Sequence, residues 1–194
     1  MCQTSKRCFE KSADAVKSAV SRQDRRNKKM NVIRLIAGGL LLAALASCSA
    51  SKFKTYNGPE VTRVIVNKGD RRMYLLHHEK VLKAYDIDLG FAPDGHKEVE
   101  GDGRTPEGDY VIDRRNPNSS YHLSLGISYP NEMDVSRAAS VGMSPGGDIF
   151  IHGGPQDSRN RQRDWTAGCI SVKDHEMEDI YAMVRDGTMI SIYP

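Results

Sequence analysis

Two side chains of this sequence could do chemistry together. Cys169 lies in Thr166-Ala167-Gly168-Cys169-Ile170-Ser171-Val172, after small residues and before an apolar run, and His152 closes the apolar stretch Asp148-Ile149-Phe150-Ile151 and is followed by Gly153-Gly154. A cysteine thiol at its free pKa is only slightly ionised at neutral pH, so an imidazole that takes its proton raises its reactivity as an acyl-transfer nucleophile. Histidine suits the task because its pKa lies near the working pH. Gly168 leaves the backbone before Cys169 open to close approach, so the amides of Gly168 and Cys169 could face a developing oxyanion. Gly153 and Gly154 let the chain turn sharply after the histidine, and a carbonyl there could orient the ring. No Asp or Asn is demanded as a third member.

The bland alternative for Cys169 is a buried cysteine packed as a small hydrophobe. Cysteine usage weighs against it. The chain has four cysteines; Cys2 and Cys8 fall in a segment expected to be removed, Cys48 in a lipidation motif, and Cys169 is left without a partner. In an exported protein an unpaired cysteine calls for a chemical reason. A thiol-redox role lacks a resolving cysteine in the mature chain.

The pattern His152-Gly153, a variable loop, then Thr166-Ala167-Gly168-Cys169-Ile170 resembles the signature of the L,D-transpeptidases, the YkuD-type catalytic domain of bacterial cell-wall enzymes. Upstream, Gly95-His96-Lys97 and Gly101-Asp102-Gly103-Arg104-Thr105-Pro106-Glu107-Gly108 extend the resemblance, which covers roughly Val61 to Tyr193. It implies an α+β, mainly β fold, a sandwich-like or barrel-like catalytic domain with one or two short helices. It implies Cys169 as nucleophile, His152 as general base and acid, and the backbone amides of Ala167, Gly168 and Cys169 as oxyanion hole. The implied substrates are peptidoglycan stem peptides, cross-linked or joined to protein through a Cys169 thioester. One position departs: many members carry Arg two places after the cysteine, and here that place is Ser171. The departure bears on donor and acceptor, so hydrolysis of the same bonds, as an L,D-carboxypeptidase or endopeptidase, stands as the alternative. A non-catalytic lipoprotein that binds peptidoglycan in the same cleft is the rival from another class.

The elements that must position this pair begin after a targeting segment. Leu35 to Ala46 is an apolar run preceded by Arg25, Arg26, Lys28, Lys29 and Arg34, the layout of a signal peptide and too short to span a bilayer comfortably. Leu45-Ala46-Ser47-Cys48 resembles the bacterial lipobox, with Cys48 lipidated and first in the mature protein; ordinary cleavage near Ala46 or Ala50 is the alternative. Ser49 after Cys48 resembles the signal for forwarding to an outer membrane, and a two-chain anchor is enough for stable attachment. Met30 would itself make a start. The expected division is therefore 1–47 as n-region and signal, 48–60 as lipidated cysteine and tether, and 61–194 as catalytic domain, on the periplasmic face of a bacterial membrane.

Charge follows the same division. Residues 1–47 hold ten Lys and Arg against three Asp and Glu, and the rest holds 18 against 22, a net of −4. A mildly acidic mature domain argues against nucleic acid as partner.

In the domain, Val61 to Val66, Arg72 to Leu76 and Val81 to Leu89 read as a β-meander, with turns at Lys68-Gly69-Asp70 and His78-Glu79. Arg63, Lys80 and Lys83 fall on solvated faces. The glycine-rich stretch Phe91 to Gly108 lacks the Gly-Lys-Ser/Thr of a phosphate loop. It is expected to wall the substrate site, with Arg104, or less so Lys97, on a peptide carboxylate; the alternative is Arg104 as a loop brace held by Asp102 or Glu107. His96 carries the same two readings. Tyr110 to Asp113 and Tyr121 to Ile127 are strand candidates, Asp134 an expected cap of a short helix ending near Gly142. Arg159, Arg161 and Arg163 could collect an acceptor strand, Arg161 foremost, and Trp165 could wall the cleft. Asp174 is the expected N-cap of a helix burying Met177, Ile180, Tyr181 and Val184, stopped by Gly187 before a last strand, Thr188 to Tyr193. No Cys or His spacing suits a metal, and no cofactor is called for.

Overall fold

The computed structural model describes residues 51–154 and 162–194. Three strands, β1 (Arg63–Asn67), β2 (Arg72–His77) and β3 (Lys80–Asp86), form the antiparallel meander expected from their alternation. Val64, Val66, Met73 and Leu75 are fully buried, while Arg63, Lys80 and Lys83 lie exposed. β3 is an outer strand with exposed lysines, a pattern that discourages pairing with a second chain.

The last strand, β8 (Met189–Tyr193), does not lie at an edge. It inserts beside β1 in parallel and beside β4 (Gly108–Asn116) in antiparallel register. β4 is longer than the expected Tyr110 to Asp113: it pairs with β8 over Gly108 to Val111 and with β5 (Ser124–Ile127) from Ile112 on, with an irregularity between Ile112 and Arg114 in the second pairing. A bulge bends and twists its strand, so β4 carries the sheet around a corner. β6 (Phe150–His152) and β7 (Ile170–Ser171) complete the order β3-β2-β1-β8-β4-β5-β6-β7. Isolated bridges Asp88 to Ser171 and Gly90 to Thr166 then join the segment after β3 to β7. The two edges of the sheet thereby meet, in the mainly β, barrel-like form expected.

Among the described residues two helices accompany the sheet, α1 (Glu132–Ser140) and α2 (Asp174–Met183). α2 packs on β5 and β6 and buries Met177, Ile180 and Val184 as its periodicity requires. Both expected caps are corrected. Asn131 caps α1, its side chain accepting from the amides of Met133 and Asp134, while Asp134 sits three positions on and its carboxylate accepts from the Asn131 amide. Lys173 occupies the cap position of α2 and Asp174 is its first residue. In each case the acidic residue lies in the first helical turn, where it meets the same positive end of the dipole. α2 ends at Met183, and Gly187 serves a turn beyond it with a φ of +88°.

The compact unit begins at Ser51, ten residues before the expected domain start. The expected tether is docked over this part: Lys52 Nζ donates to the carbonyls of Pro117 (2.7 Å) and His122 (3.0 Å), and Lys54 pairs with Asp179 at 2.7 Å.

Candidate active site

β6 and β7 run parallel with Ile151 beside Ile170 and His152 beside Ser171. Ile151 and Ile170 enter the core, and because side chains alternate along a strand, Phe150 and His152 share the other face with Cys169 and Ser171. His152 and Cys169 accordingly line one cavity of about 300 Å³, with Tyr121, Phe150, Asp148, Asn116, Ser119, Ser120 and Ser124.

The imidazole is held on three sides. Its Nδ1 lies 2.6 Å from the Gly153 carbonyl oxygen, so Nδ1 carries the proton and donates, leaving the Nε2 lone pair for the substrate side. Tyr121 stacks on the ring at 4.6 Å and 28°, and Trp165 meets it edge-on at 5.6 Å. Gly153 must be glycine here: a Cβ would fall 2.4 Å from Asp174 Oδ1 and 2.8 Å from the Tyr121 carbonyl oxygen. Ser171 points its hydroxyl at the same Gly153 carbonyl at 3.5 Å.

The nucleophile turn is fixed by Thr166. Its backbone pairs with Leu89 and Phe91, its hydroxyl donates to the Cys169 carbonyl at 2.7 Å, and it accepts from the Gly168 amide at 3.1 Å. Gly168 takes a φ of +131° with its Cα against the Arg104 carbonyl. This corrects the expected oxyanion hole: the Gly168 amide is occupied by Thr166. Among the described residues the amides of Ala167 and Cys169 reach no acceptor and stand available. Thr166→Val should destabilise the fold by about 1–3 kcal/mol, since it strands one buried donor and one acceptor, and should slow Cys169 alkylation by iodoacetamide or peptide as the turn loosens. Thermal melts together with alkylation rates check this; an unchanged rate would remove Thr166 from the positioning of the thiol.

Burial dominates the electrostatics of the pair. It pushes the His152 pKa below the usual imidazole range, the Gly153 carbonyl opposing. It pushes the Cys169 thiol up, the Phe150 amide opposing and the charge of Asp148 adding to the rise. Desolvation penalises the charged form of each group, so the resting pair is neutral thiol and neutral imidazole. The thiol also donates toward the Asp148 carbonyl at 3.6 Å.

The other expected site residues lie elsewhere. Arg104 does not line the Cys169 cavity; its guanidinium meets Glu98 at 3.3 Å and the His96 carbonyl at 3.4 Å, so Glu98 stands in place of the expected brace partners Asp102 and Glu107. Asp102 instead gathers the buried Lys97 at 2.9 Å and the amides of Glu98, Val99 and Arg104. His96 lies apart from that cavity as well. It accepts from the Glu107 amide, stands 3.0 Å from Asp134, and lines a separate cavity beside α1 and the end of β8. Trp165 packs behind His152 and Tyr121. Arg161 and Cys48 lie outside the described residues. Tyr121 and Asp148 were missed, and Thr166 was quoted in the motif without a role: Tyr121 read as one more strand aromatic, and nothing local marks Asp148. Among the described residues there is no group of three His, Cys, Asp or Glu that could hold a metal ion.

Comparison with known proteins bears on the fold and the family. The helical cell shape determining protein Pgp2 of Campylobacter jejuni is 30% identical with a TM-score of 0.54 over 71% of this chain and 49% of its own. A mutant of the same protein gives 31% and 0.55 over 71% and 48%. Bd1075 of Bdellovibrio bacteriovorus, 20% identical with a TM-score of 0.50 over 73% of this chain and 50% of its own, shares the fold. The chain thus spans about half the length of these structures. No match was found among curated proteins. The model of the YkuD L,D-transpeptidase catalytic domain matches residues 61–192, and the chain belongs to that family.

Proposed function

We propose that this protein is a cysteine-dependent acyltransferase acting on peptidoglycan stem peptides. The observation that carries the reading is the shared cavity of Cys169 and His152, with Nδ1 of the imidazole tied to Gly153 and Nε2 left over. Sγ attacks the peptide carbonyl carbon as its proton passes to Nε2. The oxyanion faces the amides of Ala167 and Cys169, a role suited to preorganised donors. His152 returns the proton to the departing amine nitrogen, the C–N bond breaks, and a thioester remains. An acceptor amine or water then attacks, giving its proton to Nε2, and the C–S bond breaks to restore the thiol.

Transfer to an amine makes a cross-linker or attaches a protein to the wall; transfer to water makes a carboxypeptidase or endopeptidase. Ser171 in place of the usual Arg is the observation that keeps the hydrolytic form open. Pgp2 is named for cell shape, and a part in shaping the wall is proposed for this chain by likeness. Export with a lipid anchor at Cys48 completes the proposal, supported by the run Leu35 to Cys48.

The test is intact-mass spectrometry of the full chain incubated with purified stem peptides, beside Cys169→Ala. An acyl adduct on the wild type alone, followed by release of transferred or hydrolysed product, is the expected result. Absence of adduct and of product with every stem offered would move the reading to a non-catalytic peptidoglycan-binding protein.

A further inference from the structure

The charge at the mouth of the cavity has a direction. Among the described residues that line it, the one carboxylate is Asp148 and no Lys or Arg appears. Among the described residues Arg114 pairs with this carboxylate and is shared: it meets Asp113 at 3.0 and 3.1 Å and Asp148 at 3.2 Å. One cation divided between two carboxylates leaves the trio with an excess negative charge. The Asp148 side chain is 91% exposed, so its link to Arg114 is a screened surface pair that another cation can replace at little cost. The same residue holds its own carbonyl oxygen 3.6 Å from the Cys169 sulfur, with its backbone in the left-handed region at a φ of 55°. Its backbone is therefore held against the reacting atom, and its carboxylate stands exposed on the rim of the same cavity.

We propose that Asp148 recruits the ammonium form of the acceptor amine to the Cys169 thioester and thereby sets how that intermediate divides between amine and water. The proposal rests on the acyl-transfer reading and names the acceptor class within it. The ammonium gathers at Asp148 and gives up one proton to solvent. The neutral nitrogen attacks the thioester carbonyl and passes a second proton to His152. The C–S bond breaks, and His152 returns that proton to the departing sulfur. Water carries no charge, so Asp148 favours the amine alone.

The test measures the ratio of amide to free-acid product formed by the full chain from a stem tetrapeptide donor and a stem tripeptide acceptor bearing a free side-chain amine. Asp148→Asn keeps the left-handed backbone, which Asn adopts as readily as Asp. The expected result is a ratio about fivefold lower in the variant, the size of effect an exposed charge pair supports; both products come from the same thioester, so the ratio is independent of any change in acylation rate that follows from removing the Asp148 charge near the thiol. Added salt should lower the wild-type ratio and leave that of the variant flat. An acylated Cys169 with equal ratios in both proteins, or with acid as sole product at every acceptor concentration, overturns the assignment to Asp148 and leaves acyl transfer standing. No acyl group on Cys169 in either protein overturns both.

Discussion

Replacement of His152 by glutamine will lower the rate of Cys169 acylation by about a hundred- to ten-thousandfold, the range associated with losing a positioned general base. The neutral resting pair makes the dependence steep. Burial holds the thiol protonated at neutral pH, so reactive sulfur must be generated by proton transfer to His152 at the moment of attack, and glutamine cannot accept that proton. The pH profile of wild-type kcat/KM supplies a second check. The base works as neutral imidazole, and its folded pKa is lowered. The acid limb should therefore lie below the usual imidazole range, because the neutral form persists to lower pH than in a free histidine. A limb above that range would mean that a thiolate–imidazolium pair, or another group, governs the rate. The same shift has a linked effect on stability. Between the two imidazole pKa values the unfolded chain binds more protons than the folded one, so stability falls as pH falls through that window.

Gly168→Ala should be a strongly damaging small substitution beside the nucleophile. The added Cβ would stand 2.7 Å from the Arg104 carbonyl oxygen and 3.3 Å from Ile149 Cδ1, at a φ of +131°. That φ is strained for an L residue whatever the space around it. Relief by movement of Arg104 is opposed by Asp102, which holds the Arg104 amide at 3.0 Å. Strain plus a backbone clash should cost about 2–4 kcal/mol, and Cys169, the next residue, should lose its setting, with acylation falling more than stability alone accounts for. Gly142→Ala is the matched control: its φ is +72° and nothing lies within 4 Å of its added Cβ, so only the conformational part, about 1 kcal/mol, should appear. Chemical denaturation of both variants beside the wild type checks the comparison. Equal losses in the two would mean that the Arg104 contact yields without strain.

The strand alternation of Val64, Val66, Met73 and Leu75 and the helical spacing of Met177, Ile180 and Val184 were legible because periodicity reports burial directly. Caps were less so. Asn131 and Asp134 are both good first-turn residues, and their order follows from which of them bonds the other's amide. Arg104 and His96 lie outside the Cys169 cavity for a different reason. A glycine-rich loop leaves its cations free to face several ways, and here Glu98 and Asp134 claimed them.

By itself the sequence determined the chemical types of the pair, a lone cysteine after glycine and a histidine before glycine, and the β-rich periodicity of the domain that carries them. Tertiary structure alone decided that Tyr121 stacks on His152, that Thr166 rather than an oxyanion takes the Gly168 amide, and that Asp148 stands at the rim. Each of these contacts depends on which strands become neighbours. With β8 placed between β1 and β4, β4 bent to turn the sheet, and the segment after β3 joined to β7, residues far apart in the chain are brought to one cavity. Periodicity tells which face of a strand is buried, and it carries no information about which other strand covers that face.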